Sequence, residues 1–358
     1  MIDLILLNKH QLLEFINSEK YKSLEVLPIS YHRAVSHINN PRAKEDDVLL
    51  ILAYENEQLL GYLGILADDI YTEKEKYHVG WLSCIWVSPL ARGKGIAKKM
   101  VLTAYEAYKH NILITNFTKE AGLLYYKLNI FQELPNLIGY RYYRKICSSK
   151  ILPKRYPRLY KFTPIFKVID KIFNPLITLF LMDKKAKKYN TFLPNENFLE
   201  ETNKHKISFK RRTKELEWIL NFPWIKKVDN FSDQSKKYHF SSEEKQFDTN
   251  IIAIQNENEV IGYLLYVLRN GHLKVPYVYY KLDHIKQVAD VISEISNQKN
   301  VEFVTLFLDK ELLKLVKIKC IFKKPIKRQF LITKELATKL EDYSNIKIYD
   351  GDGDAVFT

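Results

Sequence analysis

Residues 86 to 97 constrain this chain more than any other stretch. Trp86-Val87-Ser88-Pro89-Leu90-Ala91-Arg92-Gly93-Lys94-Gly95-Ile96-Ala97 takes an apolar strand through a short glycine turn directly into a helix. Gly93 and Gly95 lack Cβ, so the main chain there can curl with its N–H groups facing inward, at the positive end of a helix starting near Ile96. That layout suits a phosphate, with Arg92 and Lys94 adding charge at the rim. Two other phosphate loops do not fit. A dinucleotide turn needs a third glycine, and a nucleoside-triphosphate loop needs Ser or Thr after Gly-Lys, where this chain has Ile96 and Ala97.

What remains is Arg-x-x-Gly-x-Ala, from Arg92 through Gly95 to Ala97, preceded by Val87-Ser88-Pro89. A second signature follows at Ala121-Gly122-Leu123-Leu124-Tyr125-Tyr126-Lys127-Leu128-Asn129-Ile130. Together they resemble the pyrophosphate loop and the Ala-x-x-Leu-Tyr-x-Lys-Leu-Gly-Phe motif of the GNAT acyltransferase superfamily. Asn129 stands where the family has glycine, and Ile130 where it has phenylalanine. The resemblance implies acetyl-CoA as cosubstrate and an α/β (α+β) fold, a mixed and mostly antiparallel sheet with helices on both faces.

A chain of 358 residues suits two domains, and 46% apolar residues are enough to give each a core. Cys84, Cys147 and Cys320 lie far apart, without metal-ligand spacing, as expected in a reducing compartment. No metal is expected. Met1 to Leu7 lacks a basic leader and reads as a first strand, and no run of about 18 uncharged apolar residues suggests a spanning helix. A cytoplasmic protein is expected. The net charge of +14 is not spread evenly: thirteen Lys or Arg against two Asp fall between Arg144 and Lys188, and the flanking regions are nearly balanced. That concentration argues against a nucleic-acid surface.

The spacing of apolar residues predicts strands at Leu4 to Leu7, Val48 to Tyr54, Leu59 to Leu66, Gly80 to Val87, Ile112 to Asn116 and Gly139 to Lys145. Helices are predicted at His10 to Glu19, Ile96 to Lys109 and Lys119 to Leu128. The polar turn Glu55 to Gln58 makes a hairpin, which disfavours a parallel doubly wound sheet. The second half repeats the pattern: Ala253-Ile254-Gln255-Asn256-Glu257 leads to Gly262-Tyr263-Leu264 as Ala53-Tyr54-Glu55-Asn56-Glu57 leads to Gly61-Tyr62-Leu63. The expectation is therefore tandem GNAT-like domains: residues 1–145, a basic amphipathic connector over 146–204, and a degenerate second copy with an acidic tail over 205–358. The second copy has no glycine between Tyr280 and Gln287, and Asp283 would repel a pyrophosphate, so it is not expected to bind CoA. Arg211, Arg212, Trp218 and Trp224 read as part of a packed amphipathic helix ahead of a contact with an anionic ligand. Asp350, Asp352 and Asp354 lack the length and closing Glu of a calcium loop and read as a solvated tail or a lid.

In the connector, Pro164 and Pro175 are expected to leave two short amphipathic helices, closed by the charges of Lys184 to Lys188. Three roles compete for 146–190: a brace between domains, a peripheral anchor on an anionic inner membrane face, or a phosphate-rich partner site.

By the resemblance, the CoA phosphates sit on the amides of Gly93, Lys94, Gly95, Ile96 and Ala97 beside Arg92. The pantetheine pairs like an added strand with Ile85, Trp86 and Val87, and Asn116 is a further contact because Thr118 occupies a place where the family often has Asn. Tyr125 matches the proton donor to the departing sulfur, with Tyr126 the adjacent alternative. No general base announces itself among His78, Asp68, His32 and His37, and Cys84 as a nucleophile is disfavoured for want of an activating His. His32, Arg33 and Arg42 are the candidate acceptor residues. The function expected is acyl transfer by direct attack in a ternary complex to a small amine, such as an amino sugar. A protein or peptide acetyltransferase and a CoA-binding scaffold without activity are the alternatives.

Overall fold

In the computed structural model, residues 2–181, 189–257, 259–298 and 301–357 are described. Lys184 to Lys188, the expected charged end of the connector, lie outside the described residues. From the amino end the elements run β1 (Asp3–Leu7), α1 (Lys9–Asn17), α2 (Glu19–Ser23), α3 (Tyr31–Ile38), β2 (Leu50–Glu55), β3 (Gln58–Tyr71) and β4 (Lys76–Val87). Then come α4 (Ile96–Ala107), β5 (Ile112–Thr115), α5 (Lys119–Leu128), β6 (Phe131–Tyr143), α6 (Ser148–Arg155) and α7 (Thr163–Leu181).

Local chemistry explains the boundaries. Asn8 caps α1 reciprocally with Gln11, and Thr118 Oγ1 accepts from Ala121 N at the start of α5. Asn129 ends α5 at φ 54°, a left-handed position that Asn tolerates where the family has glycine. The β2–β3 turn holds Asn56 and Glu57 at positive φ, the twist that a two-residue hairpin favours, and Glu55 pairs with Gln58.

The chain divides into two compact units. The first comprises residues 1–137, 195–247 and 328–358. Its sheet runs β1-β2-β3-β4-β5, and Phe330, Leu331 and Ile332 pair antiparallel with Thr115, Ile114 and Leu113 at its edge. Among the described residues β1–β2, β2–β3 and β3–β4 pair antiparallel and β4–β5 pairs in parallel. The core joins Leu12, Leu50 and Tyr62 to Met100, Val101 and Leu331. The second unit comprises residues 138–194 and 248–327. In it Tyr140–Tyr143 pair antiparallel with Phe303–Leu306, which run parallel to His272–Lys274, and Glu259–Arg269 follows as a hairpin partner. The helix Ile285–Ser296 buries Val288, Ala289 and Ile292 in that unit's core. Each unit is thus a mixed, mostly antiparallel sheet with helices.

The units cut the chain differently from linear boundaries at 145 and 204, because residues from the second half are built into the first unit. The tail is no solvated appendage: Asp350, Asp352 and Ala355 to Phe357 are buried. Trp81 explains part of this. A Cβ on Gly353, at φ 72°, would sit 3.1 Å from the Trp81 ring, so glycine lets the tail lie flat on it. In the connector, α7 runs through Pro175 instead of breaking there. Pro164 falls in the first turn, where a missing N–H costs nothing. No helix of the described residues is long and apolar enough to cross a membrane.

Candidate active site

The glycine turn has the conformation its sequence requires. Gly93 and Gly95 lie at φ 85° and 75°, and a Cβ on either would meet no heavy atom within 4 Å, so the demand for glycine is conformational and the space above the turn is open. Gly95 is the N-cap of α4, with no side-chain cap bond, and the first-turn amides of Ile96 and Ala97 point out of the helix end. Gly61 serves the same end from below: a Cβ there would come 2.9 Å from Trp86 O and 3.3 Å from Ile96, so its absence lets α4 settle on the sheet. Arg92 is exposed, and Lys94 Nζ bonds Glu55 Oε2 at 2.9 Å.

Beside the turn, β4 and β5 pair in parallel only over Gly80–Leu82 and Ile112–Ile114. Beyond that point Ile85, Trp86 and Val87 are half-buried and paired on one side with β3, through Tyr62↔Trp86 and Gly61↔Val87. A strand edge left in this way can bond an extended amide-bearing ligand. Asn116 is exposed just past β5 at φ 52°, while the Thr118 hydroxyl is used as the α5 cap.

At the β3–β4 irregularity between Tyr62 and Gly64, Cys84 adopts φ 57° and turns toward a polar cluster. Arg33, 2% exposed, donates through Nη1 to Cys84 Sγ and to Tyr238 Oη at 2.9 Å, and through Nε to His37 at 3.2 Å, with its guanidinium over Trp224. Burial alone would lower its pKa, but Cys84, Tyr238 and Asp354 outweigh that and raise it, so Arg33 stays charged. Asp354 Oδ2 accepts from Ser83 Oγ at 2.5 Å. Two buried atoms of the cluster, Arg33 Nη2 and Asp354 Oδ1, have no hydrogen-bond partner among the described residues. Such orphans in a folded interior call for an explanation, and a bound substrate is one.

Tyr125 is buried, edge-on to Phe117 and Phe131, and its phenol is pushed up by burial and then by Asp354. It therefore holds its proton at neutral pH. Tyr126 is half exposed and donates to Glu133 Oε1 at 2.6 Å, so of the two adjacent tyrosines Tyr125 is the one enclosed.

The acceptor candidates separate. Arg33 joins the cluster. Arg42 does not: it is buried on Asp68 (2.6 Å) and Glu215 (3.0 Å) and also donates to Asp69 O and Lys210 O, which leaves it no freedom to bind a phosphate. His32 bonds Ser242 O at 2.9 Å, and burial lowers its pKa, which disfavours a cationic role. The expected bases are likewise engaged. Asp68 takes Arg42, both Nη atoms of Arg211 and the Trp81 indole N–H. His37 is stacked on Trp224 and its pKa is lowered by burial and by Arg33. His78 bonds Asp69 (2.9 Å) and Asp47 (2.8 Å); burial opposes the charge, yet the two carboxylates raise its pKa to about 8.

Sequence reasoning missed Tyr238, His239 and Asp354. His239 stacks on Trp86 at 4.5 Å, and Tyr238 bonds Arg33. The acidic run 350–354 was visible, but its destination beside Ser83 was not. Of the four residues expected on one packed helix, only Trp218 lies in the helix Thr213–Asn221; Trp224 follows it, and the two tryptophans are buried around Phe357, while Arg211 precedes it and bonds Asp68. Among the described residues no cluster of three His, Cys, Asp or Glu could hold a metal.

Residues 10–128 match the model of the Acetyltransferase (GNAT) family. No curated protein matches by sequence. Among solved structures, a protein of Enterococcus faecalis V583 described as a probable N-acyltransferase superposes with a TM-score of 0.53 at 12% identity, over 95% of this chain and 75% of its own. Saccharomyces cerevisiae N-myristoyltransferase with bound myristoyl-CoA follows at TM-score 0.47 and 10% identity, over 93% of this chain and 82% of its own. A GCN5-related N-acetyltransferase from Kribbella flavida gives 0.46 and 9%, over 92% and 70%.

Proposed function

We propose that this chain, whose residues 10–128 match the Acetyltransferase (GNAT) family model, moves an acyl group from acetyl-CoA to a small amine, such as an amino sugar, by direct attack in a ternary complex. The observation that carries the reading is the open two-glycine turn at the amino end of α4, beside the half-paired strand Ile85–Val87. Amides of Gly93, Gly95, Ile96 and Ala97 would take the diphosphate, with Arg92 at its rim, and Lys94 would exchange Glu55 for it. Asn116 borders the same opening.

The reaction needs the acceptor amine deprotonated and the leaving sulfur protonated. In our reading the amine nitrogen attacks the thioester carbon, the C–N bond forms and the C–S bond breaks. Asp354, through its unpartnered Oδ1, receives the proton released from nitrogen. Tyr125, kept protonated by burial, gives its phenolic proton to sulfur and regains one from solvent. Arg33 Nη2 is the free donor that would orient a polar group of the acceptor. The reading adds Asp354 to the residues expected from sequence and drops Arg42.

Calorimetry with acetyl-CoA, followed by thiol release against amino sugars and lysine peptides, tests the proposal. Binding with turnover on a small amine supports it. Turnover on lysine peptides alone would replace the acceptor class, and binding with no turnover on either panel would leave a CoA-binding scaffold.

A further inference from the structure

Helix α7 turns Asp170 and Asn174 inward and a row of apolar side chains outward. Asp170 Oδ1 accepts from Ser148 N and Oγ, and Oδ2 from Ser149 N and Oγ, while Asn174 bonds both N and O of Ile146. Those bonds fix the rotation of the helix. They leave Ile165, Val168, Ile172, Leu176 and Leu179, spaced three and four apart, each more than half exposed on the opposite side. A helix that met only water would be turned the other way, since each such side chain left in water forgoes roughly 1.5–3 kcal/mol of burial.

The charge around this stripe says what covers it. Arg155, Arg158, Lys161, Lys167 and Lys171 are exposed, and Asp170, the one acidic residue from 144 to 181, faces inward with both oxygens occupied. Tyr156 and Tyr160 are also exposed just ahead of α7 and have the amphipathic character favoured at a headgroup layer. Lys167 and Lys171 interrupt the apolar run, which suits a helix lying in the surface plane and not one crossing the bilayer. We propose that α7 and the segment before it dock on an anionic phospholipid surface, the stripe in the acyl boundary and the basic side chains among the phosphates. This stands independently of the acyl-transfer reading.

The test is sedimentation of the full chain with vesicles of phosphatidylcholine, with and without about one third phosphatidylglycerol. The protein should pellet with the anionic vesicles and lose binding as salt rises. The double variant Ile172→Glu/Leu176→Glu, placed on the exposed face, should keep the wild-type circular dichroism and melting point yet bind about tenfold more weakly or worse. Lys167→Gln/Lys171→Gln should weaken binding about fivefold per charge and flatten the salt dependence. The proposal is overturned if wild type ignores anionic vesicles or if the double glutamate variant binds as well. It is also overturned if sedimentation equilibrium reveals a dimer that the glutamates dissolve, since a second copy would then cover the face.

Discussion

Asp68→Asn is the sharpest test of how the first unit is held together. Asp68 is 1% exposed, and its two oxygens take Arg42 at 2.6 Å, Arg211 at 2.8 and 2.6 Å, and the Trp81 indole at 3.1 Å. Arg211 also grips Asp352, so one carboxylate ties residues from three stretches of chain together. The amide substitution keeps the shape but removes the charge facing two buried guanidinium groups, and breaking a buried pair in this way costs about 3–5 kcal/mol. The remaining partners Glu215 and Asp352 hold the loss to that range instead of twice it. For domains of roughly 150–250 residues each kcal/mol lowers the midpoint by about 2–4 °C, so differential scanning calorimetry should find a fall on the order of 10 °C. Burial alone would raise the Asp68 pKa, but Arg211 and Arg42 outweigh it and hold the carboxyl below its ordinary value. Its stabilisation is therefore present above the ordinary carboxylate pKa of about 3.9 and fades as pH falls below it, so the gap between variant and wild type should narrow in acid. A shift under about 3 °C, or a gap that ignores pH, would refute the claim that this carboxylate clamps the unit.

Gly95→Val places a β-branched residue at φ 75° and a side chain in the open space above the turn. CoA affinity by calorimetry should drop at least about tenfold, whereas Ala97→Ser should leave it within about threefold. Tyr125→Phe keeps the buried ring and removes the acid, so thiol release should slow by about 10²-fold or more with CoA affinity unchanged. His78 has its pKa raised to about 8 between Asp47 and Asp69. That pairing contributes roughly 2 kcal/mol below pH 6.5, and the contribution is lost as pH rises through 8. Urea unfolding of wild type against His78→Gln should therefore show a difference at pH 6 that closes by pH 9.

Local features were legible in the sequence. The α5 boundaries fall at Lys119 and Leu128 as its period and caps dictate, Asn129 takes the left-handed turn, and Gly93 and Gly95 take the left-handed conformation that glycine alone adopts cheaply. What stayed hidden depends on partners far apart in sequence. A surface-seeming Arg42 is buried because Glu215, 173 positions away, meets it. The strand at Phe330–Ile332 joins β5 over a separation that no period can reveal. An acidic run reads as solvated unless one knows that Arg211 waits for Asp352, Arg328 for Asp350 and Ser83 for Asp354. Pro175 misled for a different reason: one missing donor does not break a helix whose rotation is fixed by Asp170 and Asn174.

The central claim is that the amides at the amino end of α4 seat a diphosphate. A crystal structure of the protein grown with CoA decides it: the account predicts the pyrophosphate within hydrogen-bond reach of Gly93, Gly95, Ile96 and Ala97 N, with the pantetheine along Ile85 to Val87. Coenzyme bound anywhere else, with that turn left to solvent, would contradict it.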